Sequence, residues 1–597
     1  MSDAQAPRQP GPDTPFEIGL VMAGAISAGA YTAGVIDFLV EALDEWEKAK
    51  AFARAHPDDP KARECPMHEV KIKVMAGASA GGMTSGLAAG LLGMDYEPVV
   101  AQPDPDRPAQ PTNNNLYRSW VNTIDIDPLL GSRDLDGSAN APIQSVLDSS
   151  ILDDIAADAF HFERPDARKS RPYVADPLHV FLTVTNLRGI PYPLNFANFS
   201  HSQKIALYEM TMHADNMHFM LSRDEPPKDQ GAFWLKPYDF GNPASWGLLQ
   251  KTALATGAFP VGLAPVLLKR LSAQYDVRHW PHKGPYEVNG HHYCEYWMPI
   301  PPQFGNGGKA FEYDFLCVDG GVMNNEPLDL ANLVLTGPLG AEPVEGDKVT
   351  RATVMILPFP NSTGFSRTYD GKTDLLHLIP TIFNSLISQA RFKPSELTMA
   401  NDPDVYSRFL VVPRRGYRAS GEIEPFTIAC GSLEGFGGFL SRKFREHDYQ
   451  LGRRNCQWFL KQYFTLPSKE EKRNRLFDHW TPEARAKFAV HKSTDPSVVL
   501  PILPVIPLMG TAGERDVPAP TWPTFTEAEF QALRPKVKSR LARVVKALVD
   551  ENIQGFLWGP LARGSIKSAW WLKGGDVVDR VMQTIRDDLT MRGLMRP

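Results

Sequence analysis

Ser79 stands in the pattern Gly77-Ala78-Ser79-Ala80-Gly81, inside a run (73–93) that reads as a buried strand feeding a tight turn and then a helix of small residues. A serine on such a turn is exposed to an incoming carbonyl, and glycines two places to either side let the strand and helix backbones close on one another. At the helix start, unpaired N–H groups and the positive end of the helix dipole favour the negative charge that develops on a carbonyl oxygen under attack. Ser79 is therefore the candidate nucleophile, Gly77 and Gly81 the glycines of its turn, and the N–H of Ala80 one donor to the oxyanion. A plain Gly-rich packing turn is the competing reading of the same residues.

A nucleophilic serine needs a base. The segment 315–331, FLCVDGGVMNNEPLDLA, is an apolar strand ending in Asp319, followed by Gly320 and Gly321. Open α/β sheets gather their chemistry beyond the carboxyl ends of the strands, so a carboxylate ending one strand can meet a serine that follows another. An Asp-Gly pair is also a common surface turn, against which stand the apolar run before it and Asn324, Asn325 and Pro327 after it. The elements that must position these groups begin near the N-terminus. There 16–43 repeats the strand, small-residue loop, helix pattern, with a strand over 18–22 and Tyr31, Val35, Phe38, Leu39 and Leu43 at helical spacing. The loop between them, Gly24, Ala25, Ile26, Ser27, Ala28 and Gly29, offers backbone N–H groups for an oxyanion hole facing Ser79. A nucleotide-binding turn is the alternative, but the loop does not spell G-x-G-x-x-G and carries no P-loop lysine.

The three segments, in this order, resemble the patatin-like phospholipase family, whose signatures are a Gly-rich loop, G-x-S-x-G and D-G-G/A. The likeness extends to 141–160, 177–189 and 253–265, which are similar to the helix, strand and A-x-x-x-A-x-P segments between the second and third signatures. It covers about 16–360, with an echo in 444–460. The resemblance implies a three-layer α/β fold and a Ser-Asp dyad without histidine. Asp319 would accept the proton of Ser79, the acyl group would transfer to Ser79, and water would release a fatty acid. It further implies a phospholipid or related lipid ester as substrate, with no cofactor and no metal. A carboxylate of ordinary pKa, about 4, is a weak base at neutral pH, so Asp319 is expected to be partly desolvated.

The loop departs from the family pattern of three glycines, any residue, a basic residue and glycine. Ala28 stands at the basic position, and Ala25 and Ile26 replace glycines and resist positive φ. If the missing cation ordinarily helps to hold a phosphate, a neutral lipid or another ester is the better substrate. Two other readings compete. A Ser-Asp-His triad on an α/β-hydrolase fold runs in that chain order, and His377, His447, His479 and His491 all follow Asp319, with His447 in a charged helical stretch where a solvated side chain is expected. A catalytically silent binding or scaffold module is supported by the altered loop and opposed by the presence of every proposed catalytic side chain.

Composition sets the frame. The chain has 597 residues, 43% hydrophobic and 22% charged, enough for two or more domains. A formal charge of −6 excludes a broadly basic surface and argues against nucleic acid as a partner. Cys65, Cys294, Cys317, Cys430 and Cys456 are scattered and odd in number, which gives no disulfide framework and points to a reducing, cytoplasmic compartment. Residues 1–15 read as a disordered tail rather than a signal peptide, and no run is apolar and long enough to span a membrane.

Residues 16–467 are expected to form the catalytic domain, with surface insertions at 55–66 and 102–115, and 468–597 a mainly helical C-terminal region. His279, His282, His291, His292 and Cys294 crowd one stretch but match no zinc spacing, and neighbouring histidines on a strand point to opposite faces. The run 496–510, with Pro501, Pro504 and Pro507, must be extended, either as a buried strap or as a lip that dips into lipid. Trp570 and Trp571, beside Lys567 and Lys573, suit a buried pair or a membrane interface. Any membrane contact is thus peripheral and local, and the sequence does not set the oligomeric state.

Overall fold

Strands β1 (Phe16–Met22) and β2 (Val70–Gly77) are rich in Val, Ile and Met and buried along most of their length, the pattern of strands covered on both faces. They belong to a computed structural model that describes residues 14–100, 112–135, 142–162, 165–194, 208–288, 291–305, 307–338, 345–359, 385, 405, 407–416, 424–469, 473–491, 498–506, 516–553 and 559–595. The further strands are β3 (Val174–Leu194), β4 (Tyr208–Leu221), β5 (Phe233–Leu235), β6 (Val266–Leu271), β7 (His279–Val288), β8 (His291–Pro299), β9 (Glu312–Asp319), β10 (Arg351–Ile356) and β11 (Arg408–Val411). The main sheet runs β11-β10-β1-β2-β3-β4-β5, with β9 paired to β3 and β6, while β7 and β8 form a separate hairpin.

The run from β11 to β3 is parallel, so the carboxyl ends of β1 and β2 open at one rim. β9 enters antiparallel to β3. Gly77 lies beside Leu182 and Asp319 beside Val184, so the serine turn and the aspartate reach neighbouring levels of β3 from opposite directions.

Helices cover both faces. α1 (Gly29–Ala55), α2 (Ser79–Leu91), α3 (Trp246–Thr256) and α5 (Arg442–Gln462) bury their apolar residues in the large core cluster, and α4 (Leu328–Thr336) packs on Val21, Val74, Ala76 and Phe181 from the other side. The result is the three-layer α/β architecture expected from the resemblance. The C-terminal region is largely helical, in α6 (Glu527–Ile553) and α7 (Gly559–Met591).

α1 differs from the one-stripe helix that the sequence suggests, being buried nearly all round. The cause is α5, which lies against it so closely that a Cβ on Gly34 would stand 1.9 Å from the Tyr449 carbonyl oxygen, and one on Gly452 2.2 Å from that of Tyr31. Arg453 of α5 pairs with Asp37 and Glu41 of α1 inside this contact. By length and composition Ile26–Ala55 does pass as a membrane span, contrary to expectation, but nearly all of its apolar window is buried within the protein, which makes it the core helix.

β12 (Thr465–Pro467), β13 (Val490–His491) and β14 (Val498–Pro501) form a small sheet that crosses the boundary expected after Pro467. Beyond it Ile502, Leu503 and Ile506 are buried, and His68 Nε2 lies 2.8 Å from the Ile502 carbonyl, so this part of the proline-rich run is a strap and not a lipid-facing lip. Residues 507–510, the tail 1–13, the insertion 102–111, and the side chains of Trp570, Trp571, His291, His292 and Cys294 lie outside the described residues. The 55–66 insertion contains a short helix, Pro60–Arg63, capped by Asp59.

Removing Arg453 would leave two buried carboxylates uncompensated. Burial pushes the pKa of Asp37 up, against the pull of Arg453. Arg453→Met is expected to lower the unfolding free energy by about 3–5 kcal/mol in denaturant titration, and adding Asp37→Asn and Glu41→Gln to recover much of that loss.

Candidate active site

The serine turn exists because three backbones meet with no space for side chains. A Cβ on Gly77 would lie 2.4 Å from the backbone carbonyl of Gly81, and one on Gly81 2.1 Å from the carbonyl oxygen of Met22 at the end of β1. Between them Ser79 adopts φ +50°, rare for a residue with a side chain and held only where the surroundings enforce it. Ser79 opens α2, and its N–H donates to Thr256 Oγ1 at 2.9 Å, at the end of α3.

The Ser79 hydroxyl donates to Asp319 Oδ2 at 2.5 Å. Asp319 is fixed on every side: Oδ1 accepts the N–H of Gly321 at 2.7 Å, its own N–H donates to the Ala258 carbonyl at 2.8 Å, and its carbonyl accepts the Thr185 hydroxyl at 2.7 Å. Gly320 is required by the same crowding, since a Cβ there would stand 2.1 Å from the Thr183 carbonyl oxygen. Burial raises the Asp319 pKa from 3.8 to about 6, against the opposing pull of the bonds from Ser79 and Gly321. A carboxyl group with that pKa, one short hydrogen bond from a strained serine, can take and return a proton near neutral pH.

Ser79 and Asp319 open into a cavity of about 170 Å³, where Gly24, Ala25, Ile26 and Gly321 supply part of the wall. Phe259, Val322, Asn325, Phe359 and Glu434 complete it. Gly24 touches the serine directly, because a Cβ there would be 3.0 Å from Ser79 Cβ and 2.3 Å from Asn325 Oδ1. Its N–H reaches the Asn325 carbonyl only at 3.4 Å.

The rest of the loop departs from expectation in two ways. Ile26 does take a positive φ, +46°, despite its branched side chain. Its side chain packs, like those of Phe259 and Phe436, against the buried cluster of Ile124, Leu129, Ile155, Leu263 and Phe439, and the next residue is clamped: the Ser27 hydroxyl donates to the Gly435 carbonyl and accepts the Gly438 N–H at 2.9 Å. Ser27, Ala28 and Gly29 do not line the cavity. Ser27 ties the loop down, Ala28 is buried, and Gly29 lies where a Cβ would meet the Trp120 ring at 2.4 Å. Ala80, next to the serine in α2, is likewise not a lining residue.

The histidine alternative finds no support in the geometry. His447 is buried rather than solvated, with Nδ1 2.7 Å from Asp448, whose carboxylate also accepts the N–H groups of Ala429 and Cys430. Neither His447, His479 nor His491 lines the cavity, and His377 lies outside the described residues. Sequence reasoning did not single out Thr256, Phe259, Phe359 or Glu434. The first two sit inside the A-x-x-x-A-x-P stretch, where a closer reading could have found them, whereas no motif surrounds Phe359 or Glu434.

Comparison with known proteins agrees with this architecture. The sequence profile of the patatin-like phospholipase family matches residues 20–332, the part that carries both Ser79 and Asp319. The chain is also 33% identical over 613 residues to the uncharacterized protein y4iI of Sinorhizobium fredii (strain NBRC 101917 / NGR234), covering 97% of this chain and 82% of that one. The chain belongs to the patatin-like phospholipase family.

The raised pKa has a consequence for stability. A folded-state pKa near 6 against 3.8 means that ionising Asp319 opposes folding: its contribution is most favourable below pH 4 and is lost as pH rises through 6. The difference amounts to about 3 kcal/mol. Asp319→Asn, which mimics the neutral acid, is expected to unfold at higher denaturant than the wild type at pH 8, with the gap closing towards pH 4.

Proposed function

We propose that the protein is a serine lipid acyl hydrolase that cleaves a carboxylic ester through a Ser79–Asp319 dyad and an acyl-enzyme. The observation that carries this reading is the 2.5 Å hydrogen bond from the Ser79 hydroxyl to a buried carboxylate. In the first half-reaction Ser79 Oγ attacks the ester carbonyl carbon while its proton passes to Asp319 Oδ2. The alcohol then leaves with that proton. In the second half, water attacks the acyl-serine and gives a proton to Asp319, which returns it to Ser79 Oγ as the fatty acid departs.

The oxyanion formed in each half is received by backbone N–H groups of Ala25 and Ile26, in the part of the loop that lines the cavity. Donors of this kind contribute about 2.7–4 kcal/mol each in a measured serine hydrolase, which makes the geometry of the loop as important as the base. Ser27 acts here as a positioning residue through its bonds to Gly435 and Gly438. The substrate is a lipid acyl ester, met by peripheral contact with a lipid surface. Four buried free cysteines are consistent with a reducing, cytoplasmic compartment.

Hydrolysis of a short ester and of phospholipid vesicles by the wild type, Ser79→Ala and Asp319→Asn tests the dyad. Both variants are expected to lose at least about 10³-fold in kcat/KM, and a fluorophosphonate is expected to leave one adduct, on Ser79. A folded wild type with neither turnover nor adduct would sink the proposal in favour of a binding module. Because the base must be ionised, kcat/KM is expected to fall tenfold per pH unit below about 6 and to level off above it.

A further inference from the structure

The cavity beside Ser79 is electrostatically one-sided. Among the described residues that line it, the ionisable side chains are Asp319, buried and bonded to Ser79 and Gly321, and Glu434, exposed at the mouth. No lysine, arginine or histidine stands among those lining residues. The rings of Phe259 and Phe359 form the adjoining wall. A carboxylate beside aromatic faces attracts an ammonium group, through charge and through the ring quadrupole, and repels a phosphate or carboxylate.

Glu434 is held at that mouth in a strained turn. Leu433 and Glu434 have φ of +51° and +55°, a conformation that side chains keep only where the surroundings over-determine it, and which clusters at functional sites. The Leu433 N–H donates to Asp588 Oδ2 of α7 at 2.8 Å, and Arg592 Nε holds that carboxylate at 3.0 Å. The Gly435 carbonyl accepts the Ser27 hydroxyl. The turn is therefore pinned between the C-terminal helix and the loop that faces the serine.

We propose that Glu434 selects esters whose alcohol portion carries a positive charge, so that an ammonium-bearing acyl ester is preferred to neutral and anionic esters of the same shape. This rests on the hydrolase reading of Ser79 and names the substrate class for it. The probes are a choline ester, the 3,3-dimethylbutyl ester of the same short acid, which replaces the charged nitrogen by carbon, and the 2-sulfoethyl ester. The ratio of kcat/KM for choline over dimethylbutyl ester is expected to be roughly three- to tenfold in the wild type, as suits one exposed charge. It is expected to approach one in Glu434→Gln and to drop below one in Glu434→Lys, which should gain on the sulfoethyl ester. A ratio that Glu434→Gln leaves in place overturns the proposal while the hydrolase reading stands. Calorimetric binding of the same esters to Ser79→Ala, with and without Glu434→Gln, separates the two. If the wild type turns over none of them and takes no fluorophosphonate adduct, a charge preference in binding that disappears with Glu434→Gln upholds Glu434 and sinks the hydrolase. Binding with no such preference overturns the role of Glu434.

Discussion

A carboxylate buried without a cation is the constraint around which this molecule is arranged. Three other buried or half-buried aspartates are given arginines: Asp37 faces Arg453, Asp44 faces Arg171, and Asp215 faces Arg278 and Arg270. For Asp44 and Asp215 the upward push of burial is outweighed by those partners, so both stay below the ordinary carboxylate range. Among the described residues, the carboxylate oxygens of Asp319 have only a hydroxyl and a backbone N–H as hydrogen-bond partners. The desolvation that a structural site would neutralise is left standing, and it converts a weak acid's conjugate into a usable base.

That arrangement stores strain as well as charge. Six described non-glycine residues have positive φ, and three of them, Ile26, Ser79 and Glu434, line the one cavity beside the aspartate. Such conformations persist when neighbouring contacts leave no alternative. For Ser79 the enforcing contacts are the glycine-only crossings with Met22 and within the turn, while for Ile26 they come from 408 residues further on, through Ser27 and the turn around Gly435. The rigidity of the site is thus a property of the whole sheet rim and its covering segments rather than of any one loop.

This division explains what was legible in the sequence. The serine turn and the aspartate follow from local rules, apolar strands and glycines where only a hydrogen fits, and the three-layer fold from the family resemblance that those motifs carry. A residue pattern confined to a few positions records those constraints directly. What could not be read depends on distant partners. Ile26 looks unfit for positive φ until Ser27 is seen clamped by Gly435 and Gly438. His447 looks solvated until its helix is seen covered, and α1 looks one-sided until α5 closes on it through Gly34 and Gly452. Glu434 sits in no motif, because its place depends on a turn that two remote segments hold.

Those remote segments change what the C-terminal region means for the site. α7 reaches the rim through Asp588, which fixes the Leu433 N–H, while the same turn holds Ser27 and hence the loop that contains Gly24, Ala25 and Ile26. Two hydrogen-bonded steps therefore join the last helix to the backbone that faces the serine. A lone turn with two consecutive left-handed residues would relax, and with it both the charge at the cavity mouth and the aim of the loop's N–H groups. The helical extension is in this sense a structural part of the site, supplying from outside the catalytic sheet the restraint that a glycine-poor loop does not supply for itself.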